Sequence, residues 1–239
     1  MARTRTVGQW FRWWWQWRHL PVVERDGAFQ KPLHARRAAS LDWRLIRNSL
    51  PCASTDGRKG LWLAALAQSV EPGSDQDPVI LELGTCLGAG AVSLMLGAGG
   101  RGQYVGLEGS SDLAALTGQR LSNTAPQVSV DIRVGPFRDT LPTLLAEQPC
   151  FDLVFLDGHH DGSILLDQWE RLRPFVRPGG WVVVDDIRWS EDMQAAWNTL
   201  AHQPNVEAVD LFRMGALWTS GPGQRTSGGP RRVPSLLLA

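Results

Sequence analysis

Apolar residues in this chain fall into short dense runs, set apart by glycine-rich or polar turns and by longer stretches with helical spacing. Val79–Leu83 (VILEL) is apolar except at Glu82 and ends in a glycine-rich turn, the pattern of a buried parallel strand. Residues 104–108 (YVGLE) repeat it, followed by Ser110-Ser111-Asp112, good chemistry for opening a helix. Over 128–134, Val128, Val130, Ile132 and Val134 alternate with polar residues and predict a third strand. Phe151–Leu156 (FDLVFL) is a fourth, and 181–184 (WVVV) a fifth, introduced by the turn signal Pro178-Gly179-Gly180. Ser190-Glu191-Asp192 predicts a helix start, with acids where the helix dipole favours them. Runs 206–212 and 216–219 flank Arg213-Met214-Gly215 and predict an antiparallel hairpin. Helical spacing over 34–50 and 57–70 predicts two leading helices, and 88–98 can form the helix after the first strand.

Strands alternating with helices imply an α/β fold, a mostly parallel sheet covered on both faces. Right-handed crossovers then put the carboxyl ends of the strands along one rim, where open α/β sheets bind ligands. The chemistry is therefore sought just past each strand.

Composition bounds this picture. The chain has 239 residues, 43% of them hydrophobic, and 24 basic against 24 acidic residues, so its formal net charge is zero. Nothing in that balance holds a nucleic-acid backbone, and no nucleic-acid partner is expected. No run approaches the ~18 apolar residues of a membrane span. The start lacks the features of a secretory signal. Cys52, Cys86 and Cys150 are odd in number and lack close metal-ligand spacing. A reducing cytoplasm is the expected compartment.

Three zones follow: a Trp/Arg-rich segment over 1–30, a domain with leading helices over 31–219, and a tail over 220–239 whose first eleven residues, SGPGQRTSGGP, include eight Gly, Pro or Ser. Five of the twelve tryptophans lie within 10–17, and Trp10, Trp13, Trp14 and Trp17 share one face if that segment is helical. Such a face packs on the domain or lids its cleft, forms a homodimer or partner contact, or attaches to a membrane surface, where Trp and Arg suit the headgroup layer.

On the predicted rim, the first strand is followed by Gly84-Thr85-Cys86-Leu87-Gly88-Ala89-Gly90. Glycines allow a sharp turn and close approach of a ligand to a helix N-terminus. The dinucleotide fingerprint G-x-G-x-x-G is not met, since Gly84 to Gly88 is G-x-x-x-G and Ser93 stands where a third Gly after Gly88 and Gly90 belongs. Glu108, about twenty residues on, ends the second strand and can accept hydrogen bonds from both hydroxyls of a ribose. Alone it reads as a solvated strand-end acid; coupled to the glycine turn it favours an adenosine-containing ligand. Asp157-Gly158-His159-His160-Asp161 follows the fourth strand and Asp185-Asp186 the fifth, so three carboxylates are expected on one side of the cleft. Clustered carboxylates need a cation or a shared proton, and oxygen ligands suit Mg²⁺, or Mn²⁺ with an imidazole nearby.

Glu82-x-Gly84-x-x-x-Gly88 followed by Glu108 resembles the cofactor site of class I S-adenosylmethionine-dependent methyltransferases, and the strand–helix order over 57–219 is similar to their fold. The resemblance implies a Rossmann-like seven-stranded sheet with an antiparallel last strand. It also implies S-adenosylmethionine held by Glu82, Gly84, Thr85, Gly88, Glu108, Gly109, Phe137 and Asp157, with Gly135-Pro136-Phe137 near the adenine. The acids past the fourth and fifth strands resemble those of cation-dependent small-molecule O-methyltransferases of the catechol and macrolide-sugar types. That implies a divalent metal, Mg²⁺ or Mn²⁺, at Asp157, Asp185 and Asp186, and a base three positions after the first acid, here His160 where many relatives carry Lys. Asp157 and His160 are then the catalytic pair, and the acceptor is a hydroxylated small molecule. Two competing readings are a catalytically silent fold of this kind that binds a partner through its Trp-rich end, and an NAD-type oxidoreductase, which the glycine spacing and terminal hairpin disfavour.

Overall fold

The computed structural model describes residues 55, 57–70, 76–147, 149–219 and 231–232. The Trp-rich segment, the helix expected over 34–50, Cys52 and most of the expected tail lie outside the described residues. The first described helix, α1 (Gly57–Ser69), is followed by β1 (Val79–Leu83), α2 (Ala89–Gly97), β2 (Arg101–Glu108), α3 (Ser111–Thr124), β3 (Gln127–Val134), α4 (Phe137–Ala146), β4 (Phe151–Leu156) and α5 (Gly162–Leu172). A 3₁₀ turn (Arg173–Phe175) leads into β5 (Val176–Val184), α6 (Glu191–Ala201), β6 (Val206–Leu211), β7 (Met214–Thr219) and β8 (Arg231–Arg232).

These strands form one sheet in the order β3-β2-β1-β4-β5-β7-β6-β8. The first five are mutually parallel, and β7 runs antiparallel to both β5 and β6. Seven strands are expected from the sequence; the eighth is Arg231–Arg232, within the segment read as a tail, whose backbone pairs parallel to β6. The hairpin also turns more tightly than expected, at Phe212-Arg213, and Phe212 takes a left-handed φ of 72°.

Side chains of period two divide between the two faces. Leu81, Leu83, Val154, Leu156, Val182 and Val184 face α4, α5 and α6. Ile80, Tyr104, Leu153, Phe155, Val183 and Ala216 face α1, α2 and α3. Each fully buried Leu or Ile among them contributes roughly 1.5–3 kcal/mol, which sets the register and so the height at which every strand ends. Pro178-Gly179-Gly180, a turn by its sequence, lies inside β5: between Phe151 and Leu153 of β4 the register jumps from Val176 to Trp181. The Thr219 hydroxyl donates to Arg177 O and Gly180 O (2.8 and 3.1 Å), so neighbouring β7 absorbs the irregularity as a bulge. Ser110, Asp161 and Ser190 cap α3, α5 and α6 through side-chain oxygens that accept from Leu113, Ile164 and Met193 N–H.

Candidate active site

Strand order reverses between β1 and β4, so the chains leaving these two strands diverge to opposite faces and open a crevice beyond their carboxyl ends. Ladder hydrogen bonds continue one residue past the strands. Gly84 N–H donates to Leu107 O (2.9 Å), Asp157 N–H to Leu83 O (3.0 Å) and Asp185 N–H to Leu156 O (3.0 Å). Gly84, Asp157 and Asp185 are thereby fixed in a row along the rim. Above them lies a cavity of about 910 Å³, large enough for a small molecule together with a nucleoside-sized one.

One half of the cavity is built from backbone turns and a single acid. Gly84 has φ +92°, and a Cβ there would lie 2.6 Å from Asp157 O, so both conformation and space demand glycine. Glu108 is buried; Oε2 accepts from Cys86 N–H (2.9 Å) and from the Thr85 hydroxyl (3.2 Å), and Oε1 from Ser110 N–H (2.9 Å). Three bonds orient the carboxylate and leave part of its capacity, about four lone-pair sites, toward the cavity. Phe137 stands edge-on to His159 with ring centroids 5.2 Å apart, and with Leu113 and Leu141 it makes an apolar wall. A rigid carboxylate acceptor, a turn with no side chain and an apolar wall fit S-adenosylmethionine: hydroxyl donors on the ribose, a close-lying chain and a flat base.

Not every expected cofactor residue reaches the cavity. Gly84, Glu108, Gly109, Phe137 and Asp157 line it. Thr85 is buried behind it and acts on Glu108. Gly88 is the N-cap of α2 in left-handed conformation, with Thr117 against the place of a Cβ. Glu82 is fully enclosed, accepts from the Tyr104 hydroxyl and lies against Gly90. Burial, above all, pushes its carboxyl up to about 8; Tyr104 works against that shift and the charge of Glu108 adds to it. These three residues shape the turn from behind.

The other half is charged. Asp157 is half-buried and lines the cavity with Asp185; burial, then the Asp185 charge, drives it well above the usual carboxylate range. Asp186 has φ +47°, a conformation Asp tolerates better than most residues. Its carboxylate meets Lys59 Nζ (3.1 Å), Arg213 (3.2 Å) and, at 3.9 Å, His160 Nε2. His160 Nδ1 is buried without a hydrogen-bond partner among the described residues, and its ring lies 4.9 Å, centroid to centroid, from Trp189. His160, Asp157, Asp185 and Asp186 are thus brought together as expected from their positions in sequence.

Two residues of this half escaped sequence reasoning. Trp189 is 65% exposed and lines the cavity from the loop after β5. Lys59, on α1, places Nζ 2.5 Å from Asp185 Oδ2 and is only 8% exposed. A signal existed: Lys59 precedes the buried Leu63, Ala67 and Val70 on one helical face, where a solvated lysine does not belong. Burial works to lower its ammonium, but the charges and hydrogen bonds of Asp185 and Asp186 outweigh this and hold it above the ordinary lysine value. Because that ammonium sits on the carboxylates expected to ligate a metal, the set as folded does not fit a divalent ion. Among the described residues no group of three or more His, Cys, Asp or Glu side chains is arranged to hold one.

A family model described as a methyltransferase domain matches residues 81–187. Over 167 residues the chain is 36% identical to a catechol O-methyltransferase from Mycobacterium tuberculosis, an alignment spanning 70% of this chain and 67% of that one. It is 29% identical over 144 residues to a catechol O-methyltransferase from Niastella koreensis, spanning 60% and 62%. Among solved structures, the O-methyltransferase of tomaymycin synthesis from Streptomyces achromogenes, in complex with S-adenosylmethionine, superposes with a TM-score of 0.58 at 24% identity, covering 91% of this chain and 100% of that one. An O-methyltransferase from Bacillus cereus in complex with S-adenosylhomocysteine gives 0.57 at 20% identity, covering 84% and 94%. At these identities the two structures speak for a common fold.

Proposed function

Because this chain belongs to the S-adenosylmethionine-dependent O-methyltransferases, we propose that it methylates a hydroxyl of a small molecule seated at the charged half of the cavity. The observation that carries this reading is the division of one cavity into a rigid half ending in Glu108 and a charged half containing His160. When bound, S-adenosylmethionine supplies a methyl group on a sulfonium; transfer to the acceptor oxygen leaves the carbon–sulfur electron pair on sulfur as S-adenosylhomocysteine.

The chain's own residues hold, align and deprotonate. Glu108 takes the ribose hydroxyls, the Gly84 turn admits the methionyl part, and Phe137 borders the adenine. His160 receives the acceptor's hydroxyl proton, a task suited to an imidazole near neutral pH. The carboxylate of Asp186 lies 3.9 Å from His160 Nε2, beside the ring that takes the proton. Trp189 gives the acceptor half an aromatic wall, and catechols are the acceptors to try first, given the names of the sequence relatives.

The acid cluster is assigned to orienting the acceptor. A cytoplasmic setting is proposed from the three cysteines, and the dimer or membrane contact expected of the Trp-rich segment falls on residues outside those described. Among the described residues no helix is long and apolar enough to cross a membrane.

The test is calorimetry with S-adenosylhomocysteine and a coupled assay for its release in the presence of catechol, a non-aromatic diol and no acceptor. Binding together with acceptor-dependent release is the expected result. Binding without release from any hydroxylated acceptor favours a silent binding module, and absence of binding refutes the assignment of the cavity.

A further inference from the structure

Lys59 lines the cavity from α1, which precedes the first strand, whereas the carboxylates it meets follow β5. Its side chain is 10% exposed, and Nζ lies between two carboxylates, 2.5 Å from Asp185 Oδ2 and 3.1 Å from Asp186 Oδ1. Both carboxylates follow β5, and with Asp157 after β4 they are the acids expected to hold a divalent ion. An ion bound to them would sit within a few ångströms of the ammonium, in a setting where water screens little. Arg213 adds a second positive group on Asp186 from the β6–β7 turn. The repulsion between the Asp185 and Asp186 carboxylates is thus relieved by protein groups, an ammonium and a guanidinium.

We infer that Lys59 is a built-in cation, its ammonium taking the place among Asp157, Asp185 and Asp186 that a divalent metal would take, so that this protein works without a metal there. The inference rests on the methyl-transfer reading above. Lys59 is a positioning residue: it holds Asp185 and Asp186 in the orientation that faces the acceptor and His160. A single positive charge polarises an acceptor hydroxyl less than a dication does, so removal of its proton falls to His160. The replacement also explains why a helix preceding the first strand carries a buried lysine one turn before Leu63.

The experiment uses the full chain, stripped with EDTA and desalted, as wild type, Lys59→Met and Lys59→Arg. Free Mn²⁺ is counted by electron paramagnetic resonance during titration, and S-adenosylhomocysteine binding is measured on the same samples. Wild type is expected to bind S-adenosylhomocysteine, to take up no Mn²⁺ below about 1 mM, and to turn over equally in EDTA and in Mg²⁺. With the ammonium gone and the carboxylates left unpaired, Lys59→Met should bind one Mn²⁺ at least about tenfold more tightly than wild type. Lys59→Arg, which keeps the charge, should behave as wild type, an outcome that loss of packing would not produce. One Mn²⁺ bound by wild type at micromolar concentration overturns the inference, as does a folded Lys59→Met that gains no Mn²⁺ affinity. If Lys59→Met does not fold, the wild-type titration still decides. A wild type that ignores S-adenosylhomocysteine overturns the methyl-transfer reading, and this inference with it; one that binds both ligands overturns only the role of Lys59.

Discussion

The two halves of the cavity are built on opposite principles. Around Glu108, each carboxylate oxygen is already engaged by Cys86 N–H, Ser110 N–H or the Thr85 hydroxyl, and the adjoining surface is glycine turn and apolar wall. Such a half is set before its ligand arrives, because moving the acceptor would break three bonds in a site shielded from water. Around Asp186, charges of both signs crowd together, and His160 keeps a buried Nδ1 with no partner among the described residues. A buried polar atom left unsatisfied costs stability, and on a residue that lines a cavity it is a group a ligand can meet. The rigid half suits one ligand of constant shape; the charged half suits a group whose protonation changes during reaction.

If this contrast holds, substitutions in the two halves should fail in different ways. The largest effect is expected for His160→Ala, with turnover falling about 10²- to 10⁴-fold while S-adenosylhomocysteine affinity stays at the wild-type value. Single-turnover kinetics beside calorimetry would show it, and an equal loss in both would merge the two halves. Glu108→Ala should do the reverse, weakening S-adenosylhomocysteine by about 1.5–3 kcal/mol, or about 10- to 150-fold, with most of the turnover recovered at saturating cofactor. Gly84→Ala strikes the seam: a side chain at φ +92°, with its Cβ 2.6 Å from Asp157 O, must displace backbone shared by both halves. It should cost about 1–3 kcal/mol of stability in denaturant and weaken ligands at either end.

The smallest effect is the most specific to what lies behind the turn. Glu82, raised from its ordinary 4.5 to about 8, holds a proton in the folded protein that the unfolded chain has already released. Its contribution to stability is complete below pH 4.5 and is lost as pH rises toward about 8. Glu82→Gln keeps a hydrogen-bonding group for Tyr104 without the titration. The difference in melting temperature should therefore move in favour of the variant as pH rises across that window. A difference that stays constant with pH would show that Glu82 does not hold its proton.

Most of the parallel sheet was legible because burial on both faces leaves continuous apolar runs, and VILEL and FDLVFL became β1 and β4 at the expected residues. The helices α4 and α5 were less so. Over Phe137–Ala146 the pattern is interrupted by Pro142, and the helix is held by Leu141 and Leu144 packing on the sheet. Strand β5 was read as beginning at 181 because Pro178-Gly179-Gly180 is a turn sequence, and only pairing with β4 and β7 draws it into a bulged strand. In the site, groups just past a strand could be placed from sequence, since a parallel sheet sends all such positions to one rim.

By itself, then, the sequence determined the alternation of strands and helices, the rim on which Glu108, Asp157, His160, Asp185 and Asp186 gather, and the glycine turn between them, because each depends on neighbours a few positions away. Tertiary structure alone decided that Glu82 stands behind the turn and that Lys59 neutralises Asp185 across 126 positions of chain. Helix docking made that choice: α1 packs so closely that a Cβ on Gly97 of α2 would meet Ala64, and this approach, which no local pattern encodes, carries the ammonium to the carboxylates.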